Sequence, residues 1–407
     1  MLCVVRIGDS SFRAAIAVGE FRSIWLAELQ SVIGDQLARL AVSVLVFHDT
    51  GSATWPALAY ALTYLPDIVA GPVLGGLADR YPRRTIMIGA DALRAAAIGV
   101  MALPGIPLAV VAVLLVIAQL AGSPFSAAQA ALLPTVLPGE LYASGQSIRQ
   151  ITHQAGQLAG FAAGGVVVAL LGAHRALAVD AATFAVSAIV VRHGVRHRPA
   201  ATGTGGPSPW QRVSAGARTI RRDPRLRSLT GLAWLAGFVI VPEGLALPYA
   251  AEIGGGATVA GLMLAAHPAG IAAGAFALNR WASPRTRLRL VGPLALFAIV
   301  PLLGYAFRPG AVVAIGLLFG SGCCAAYQVT AAATFMRLVP DAERGQAFGL
   351  AGSGLIAVQG VGLLAGAGLV SLLGSPAFTV ATIAALGTLT AIPAAVAWRR
   401  ICVAVDA

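Results

Sequence analysis

The chain contains no lysine, and charge of either sign is scarce, with Asp, Glu, Lys and Arg together making 11% of its 407 residues. Without lysine no Gly-x-x-x-x-Gly-Lys phosphate loop can be written, which argues against ATP as the direct energy source. Cysteine is equally sparse. Of the four, Cys3 and Cys402 lie near the ends, while Cys323 and Cys324 are adjacent and would point about 100° apart on a helix. That pattern carries neither a disulfide framework nor the spacing of a metal site, and the six histidines are dispersed. No cofactor and no metal are expected. Nor does any stretch between the apolar runs leave room for a soluble catalytic domain, so an enzyme is not expected.

What the chain does have is apolar length. Hydrophobic residues make up 58% of it and the mean hydropathy is +0.82, far from the balance of soluble domains. The basic residues, 28 arginines against 16 acids, give a net charge of +12. Such a charge would suit a nucleic-acid partner if it covered one soluble face. Instead the arginines cluster at the ends of apolar runs, as in a multi-pass membrane protein, and no nucleic-acid partner is expected. About twelve runs approach or exceed the roughly 20 residues needed to cross a bilayer. They lie near 23–47, 55–78, 85–103, 107–130, 142–171, 175–192, 228–250, 257–279, 288–305, 311–337, 345–373 and 376–398, called spans 1 to 12 below. The first twenty residues have no uninterrupted apolar core, and no removable signal peptide is expected.

Arginine placement sets the orientation. Arg6, Arg13 and Arg22 precede span 1, Arg80, Arg83 and Arg84 follow span 2, and Arg280, Arg285, Arg287 and Arg289 follow span 8. Arg337, Arg344, Arg399 and Arg400 fall on the same side, whereas the other side has only Arg175 and Arg308 in its short loops. By the positive-inside rule both termini are cytoplasmic. Between spans 6 and 7 an Arg-rich segment contains "PAATGTGGPSP", which reads as a flexible linker, followed by a basic stretch able to form an amphipathic helix at the headgroups. A constant offset aligns Pro138 with Pro340, Gln157 with Gln359, Gly160 with Gly362 and Leu171-Gly172 with Leu373-Gly374. The reading is therefore two six-helix bundles, 1–195 and 228–407, joined by a cytoplasmic linker at 196–227. Parallel repeats of this kind hold their substrate between the halves near the bilayer midplane.

The densest charge cluster, "GGLADRYPRR" at 75–84, resembles the loop 2–3 signature of the major facilitator superfamily. Gly75, Leu77, Ala78, Asp79, Arg80, Arg83 and Arg84 match it, and Pro82 replaces a glycine. "IGDQLARLAV", "DALRAAAIG", "VDAATFAVSA" and "VPDAERGQAFGL" resemble phrases of the bacterial branch that includes the enterobactin exporter and macrolide efflux proteins. The resemblance implies an all-α integral membrane protein with twelve transmembrane helices in two pseudo-symmetric bundles. It also implies that Asp79, with Gly75, Arg80, Arg83 and Arg84, latches the halves on the cytoplasmic side against the start of span 11 at Arg344, with Asp91 and Arg94 extending that latch. "GQLAGFAAGG" in span 5 is similar to the family's antiporter motif through Gly156, Gly160, Gly164 and Gly165, with Phe161 in place of proline. Glycine every fourth residue makes a flat helix face that a neighbour can approach closely.

Ionisable residues inside spans are costly unless paired or facing water. Asp35 and Arg39, one turn apart in span 1, can form an i,i+4 pair that either trades a proton or stays a permanent structural pair. Asp67 in span 2 and Glu243, after Pro242 in span 7, line a cavity or bond to a neighbouring helix. Gln150, His153, Gln154 and Gln157 form a polar stripe along span 5, and His267 and Gln328 are further cavity candidates. Asp180 lies near the outer end of span 6, where it can snorkel. The reading is a secondary active transporter that exports an organic small molecule in exchange for protons. Its partners are substrate, protons and the lipid bilayer, and it works as a monomer in the bacterial inner membrane. Proton-coupled import and a non-transporting receptor or scaffold remain as rivals.

Overall fold

The computed structural model describes residues 9–66, 74, 80–199, 209–340 and 343–406, and among these it is helical with no strand. Among the described residues ten helices are long and apolar enough to cross a membrane. They carry span 1 (Gly19–Thr50), span 4 (Leu108–Val136), span 5 (Leu141–Leu171), span 6 (Ala173–Gly194) and span 7 (Pro224–Glu252). The others are span 8 (Gly256–Trp281), span 9 (Pro284–Phe307), span 10 (Ala311–Leu338), span 11 (Arg344–Leu373) and span 12 (Pro376–Ile401). The remaining two fit the twelve-span plan. Span 2 begins with the helix Thr54–Ala61 and its later part lies outside the described residues. Span 3 is the helix Arg83–Met101 of 19 residues, and its low hydropathy comes from Arg83, Arg84, Asp91 and Arg94.

Proline and glycine punctuate the helices where the backbone requires it. Span 7 is interrupted at Leu235 and again at Ile240, just before Pro242. A proline removes one helical N–H and crowds the preceding turn, so this helix runs in segments. Span 6 starts at Gly172, with φ of 80°, and span 11 ends at Gly374, with φ of 63°. Both are left-handed conformations that glycine adopts without steric cost. A short helix, Asp9–Ala17, precedes span 1, and the basic stretch of the linker forms the helix Pro209–Arg222.

The chain divides into two compact units. The first comprises Met1–Ala41, Val69–Val167 and Leu171–Gly205. Its span 3 packs against spans 4 and 6, and a core of Phe21, Ile24, Met87, Phe125, Leu132 and Val191 holds the helix ends together. The second comprises Val42–Ile68, Val168–Leu170 and Gly206–Ala407. In it the helix Thr54–Ala61 packs on spans 7 and 11, span 8 lies along span 10, and the linker helix Pro209–Arg222 lies on span 11. The linker helix is pinned by the Thr219 hydroxyl, which donates to Glu343 at 2.5 Å. Gly216 lets it sit close to the backbone of Gln346, while Arg218, Arg221 and Arg222 stay exposed.

Candidate functional site

The first unit holds a cluster of ionisable side chains at the meeting of spans 1, 3 and 6. Arg94 Nη2 donates to Asp35 Oδ1 at 2.5 Å and its Nη1 donates to the Ser31 hydroxyl at 3.3 Å. The Phe184 ring covers the guanidinium at 3.8 Å, a cation–π contact strengthened by desolvation. Asp91 accepts from the Ser187 hydroxyl at 2.5 Å, and Asp180 accepts from Thr183 Oγ1 at 3.3 Å. Asp91 and Asp180 are both 0% exposed and Arg94 is 6% exposed. Helix geometry produces the convergence. Ser31 and Asp35 share a face of span 1, Asp91 and Arg94 a face of span 3, and Asp180, Thr183, Phe184 and Ser187 a face of span 6.

This arrangement corrects two expectations, the pairing of Asp35 and the exposure of Asp180. Asp35 pairs with Arg94 across helices rather than with Arg39, whose Nη1 donates to Gln36 at 3.3 Å. An intrahelical i,i+4 pair needs both side chains on the surface of one helix, and here Asp35 turns toward span 3. Asp91 and Arg94, expected to extend the latch, lie inside span 3. A rise of about 1.5 Å per residue carries them two to three turns into the helix that starts at Arg83. Asp180 does not snorkel, since it is wholly buried against span 1.

A second network lies in the same unit, and the sequence reading missed it. Arg149 on span 5 donates Nε to Glu28 Oε2 at 2.6 Å and Nη2 to Glu28 Oε1 at 2.9 Å, the bidentate geometry in which guanidinium and carboxylate match best. Gln129 on span 4 closes the triangle, donating to Glu28 at 2.9 Å and accepting from Arg149 at 3.0 Å. The available signal was the presence of Glu28 and Arg149 inside apolar runs. The glycine face of span 5 packs on span 1. A Cβ added at Gly156 would meet Val32 at 3.0 Å, one at Gly160 would meet the Ile33 carbonyl oxygen at 2.8 Å, and one at Gly164 the Leu37 backbone at 3.4 Å. Gly165 is buried on the same helix.

The other sequence candidates are dispersed. Gln150 and His153 are exposed, and Gln154 and Gln157 half-buried. The stripe's neighbour Thr152 accepts from Trp25 Nε1 at 2.7 Å. Arg80 is exposed at the loop. Arg83 Nη1 donates to the Ala131 carbonyl at 2.8 Å and Arg84 Nη2 to the Arg192 carbonyl, so both clamp the ends of spans 4 and 6. Asp67, Gly75 and Asp79 lie outside the described residues. In the second unit, Arg344 opens the helix of span 11 and Gln328 is half-buried. Glu243 Oε2 accepts from the Tyr60 hydroxyl at 2.8 Å. Glu243 and His267 line one narrow cleft, otherwise apolar, with Pro242, Met263, Leu264 and Leu318.

These are the parts of a membrane-embedded machine: helices with glycine-smoothed faces and charges paired inside the bundle. The sequence profile of the Major Facilitator Superfamily matches residues 24–245, more than half of the chain. The chain belongs to this superfamily. With its long apolar helices it is a multi-pass membrane protein of this superfamily. It is 33% identical over 125 residues to macrolide efflux protein A of Streptococcus pyogenes, a match covering 30% of this chain and 31% of that protein. It is 29% identical over 183 residues to the multidrug efflux pump Tap of Mycobacterium tuberculosis, covering 41% of this chain and 42% of the pump. The matched regions thus span less than half the length of these relatives. Among solved structures, the nucleoside transporter NupG superposes with a TM-score of 0.70 at 14% identity, covering 93% of this chain and 99% of its own. An inward-facing bacterial homolog of the human lysosomal transporter Spinster gives 0.69 at 14% identity, covering 98% and 96%. At such identities these structures establish the fold alone.

Proposed function

We propose that this chain is a secondary active transporter that exports an organic small molecule, a drug, natural product or siderophore, by alternating access driven by inward proton flow. The observation that carries the reading is the Asp35–Arg94 pair, held between spans 1 and 3 at 2.5 Å. Charges inside membrane helices are rare and mark ion pathways, and a buried pair is weak ground for stability alone. Adding or removing a proton at this cluster changes which acid is available to Arg94, and a buried guanidinium must keep a counter-ion. That exchange converts proton binding into helix movement. The efflux names of the curated relatives support the outward direction.

The transporter acts as a monomer in the bacterial inner membrane, with both termini cytoplasmic, two repeats at 1–195 and 228–407, and a linker at 196–227. It takes a substrate and protons and uses no cofactor. Asp79 latches the cytoplasmic side, so Asp79→Asn should abolish transport at normal membrane abundance. The test of the whole reading is an accumulation screen in a strain lacking its own pumps, with ethidium and erythromycin among the compounds. Expression should lower the accumulation of at least one compound, and a proton uncoupler should restore it. Raised accumulation would instead favour proton-coupled import, and no change for any compound would favour a receptor.

A further inference from the structure

Three carboxyl groups and one guanidinium meet at spans 1, 3 and 6, and their hydrogen bonds do not balance. Arg94 is committed to Asp35 and Ser31 through its two terminal nitrogens, yet its Nε is buried without an acceptor. Asp91 uses Oδ2 for Ser187, and its Oδ1 is buried without a donor. Asp180 receives only the Thr183 hydroxyl, at 3.3 Å on Oδ1, and that hydroxyl also bonds the Asp180 carbonyl oxygen at 2.8 Å. Asp180 Oδ2 has no donor. On span 1 the residue beside it is Gly34, where an added Cβ would collide with Asp180 Oδ1 and stand 2.6 Å from Thr183 Oγ1.

An ionised carboxylate presents about four acceptor positions, and burying one with its oxygens unfilled is among the costliest events in folding. A protonated carboxyl carries no charge and needs fewer donors. The charges acting on Asp180 come from Asp35 on span 1 and Arg94 on span 3. Those acting on Asp91 come from Arg94 and Asp35. One positive charge therefore faces three acids and is already taken by the first. A proton on one of the acids relieves that imbalance.

The geometry points to Asp180 as the carboxyl that carries the exchanged proton, with Asp91 as the second acid and Arg94 as the cation that changes partners. This rests on the proton-coupled reading above and names the atoms for it. While Asp180 holds a proton, Arg94 stays on Asp35. When that proton leaves, the unused Nε–H of Arg94 and the unfilled Oδ2 of Asp180 become complementary, and Asp35 loses its counter-ion. Spans 1, 3 and 6 must then repack. The proton enters from the outer side and leaves to the cytoplasm unchanged.

The test uses the full-length protein in lipid nanodiscs and the infrared carbonyl band of protonated carboxyl groups, followed as pH is raised. The wild type should show a band that disappears on alkalinisation. Asp180→Asn should lose most of it, and Asp35→Asn should retain it. Asparagine is nearly isosteric with the protonated acid, so the variant should fold. If it does not, Thr183→Ala, which removes the donor to Oδ1, should move the midpoint at which the band is lost. An unchanged band in Asp180→Asn, or an unmoved midpoint in Thr183→Ala, overturns the assignment. In proteoliposomes with ethidium or erythromycin as probe, Asp180→Asn should lose gradient-driven accumulation but keep probe counterflow. A wild type that moves neither probe with the gradient counts against proton-coupled export, while the infrared result still decides Asp180.

Discussion

The Tyr60 hydroxyl, at the start of span 2, donates to the Glu243 carboxylate of span 7 at 2.8 Å, within the second compact unit. Tyr60 is 2% exposed, so its hydroxyl has no ready supply of water to replace the carboxylate. Tyr60→Phe should lower stability by about 1.5–3 kcal/mol, the range for a hydrogen bond to a charged group. Glu243→Gln should lower it by less, because the amide still accepts. A thermal double-mutant cycle on purified protein checks the linkage. Strictly additive losses would show that the two side chains do not act together.

The Asp35–Arg94 pair predicts an asymmetry. Removing the cation leaves Asp35 and Asp91 beside each other with no positive charge between them, a loss of about 3–5 kcal/mol for one partner of a buried pair. Arg94→Ala should therefore reduce the folded yield sharply. Asp35→Asn keeps the shape and lets Arg94 turn to another acid, so it should fold. Size-exclusion profiles of the two variants decide this. Equal yields would mean that the cluster is hydrated enough for Arg94 to be dispensable.

Span 5 offers a prediction in which packing outweighs the motif. Gly160→Leu pushes a side chain into the Ile33 carbonyl oxygen and Gln36, and should abolish transport by separating spans 1 and 5. Restoring the family's proline with Phe161→Pro should also be damaging. Phe161 is 4% exposed, and losing a buried aromatic side chain costs about 3–5 kcal/mol, before the lost helical N–H is counted. Expression and thermal stability measure both, and a Phe161→Pro protein as stable as wild type would contradict the packing argument.

At the start of span 7, Asp223 caps the helix by accepting from the Arg225 amide at 2.8 Å. The Arg225 guanidinium beside it holds its carboxyl below the usual carboxylate range. A depressed value in the folded state means that the cap's contribution is present at neutral pH and is lost as pH falls through that value. Relative to the intrinsic rate, which itself slows in acid, amides in the segment 223–230 should lose protection on acidification. Asp223→Ala should exchange fast throughout, with a loss of about 0.5–2 kcal/mol. Protection that does not change with acid in the wild type would exclude the capping role.

Hydropathy made the spans legible, because every helix that crosses lipid must hide its backbone internally and cover itself with apolar side chains. The glycine face of span 5 was legible for a similar reason, since close packing leaves a period of four in the sequence. Charge partners were not legible. Asp35 had Arg39 one turn away and took Arg94, and nothing local distinguishes those choices, because side-chain direction across a three-helix junction decides them. Asp180 was missed because depth along a span says little about which face a residue occupies. Its companions Thr183 and Ser187 follow at helical spacing and marked that face as polar. Glu28 and Arg149 were in view as charges within apolar runs.

The central claim is that proton binding at the Asp35–Arg94 cluster drives export, and gradient-driven flux in everted membrane vesicles tests it most directly. With the cytoplasmic face outward, an acid-inside gradient should drive uptake of ethidium or erythromycin in the wild type and should drive none in Asp35→Asn. Slow equilibration of probe down its own gradient should persist in that variant. If Asp35→Asn still concentrates the probe in response to the pH gradient, the cluster does not couple transport to protons, and the account is contradicted.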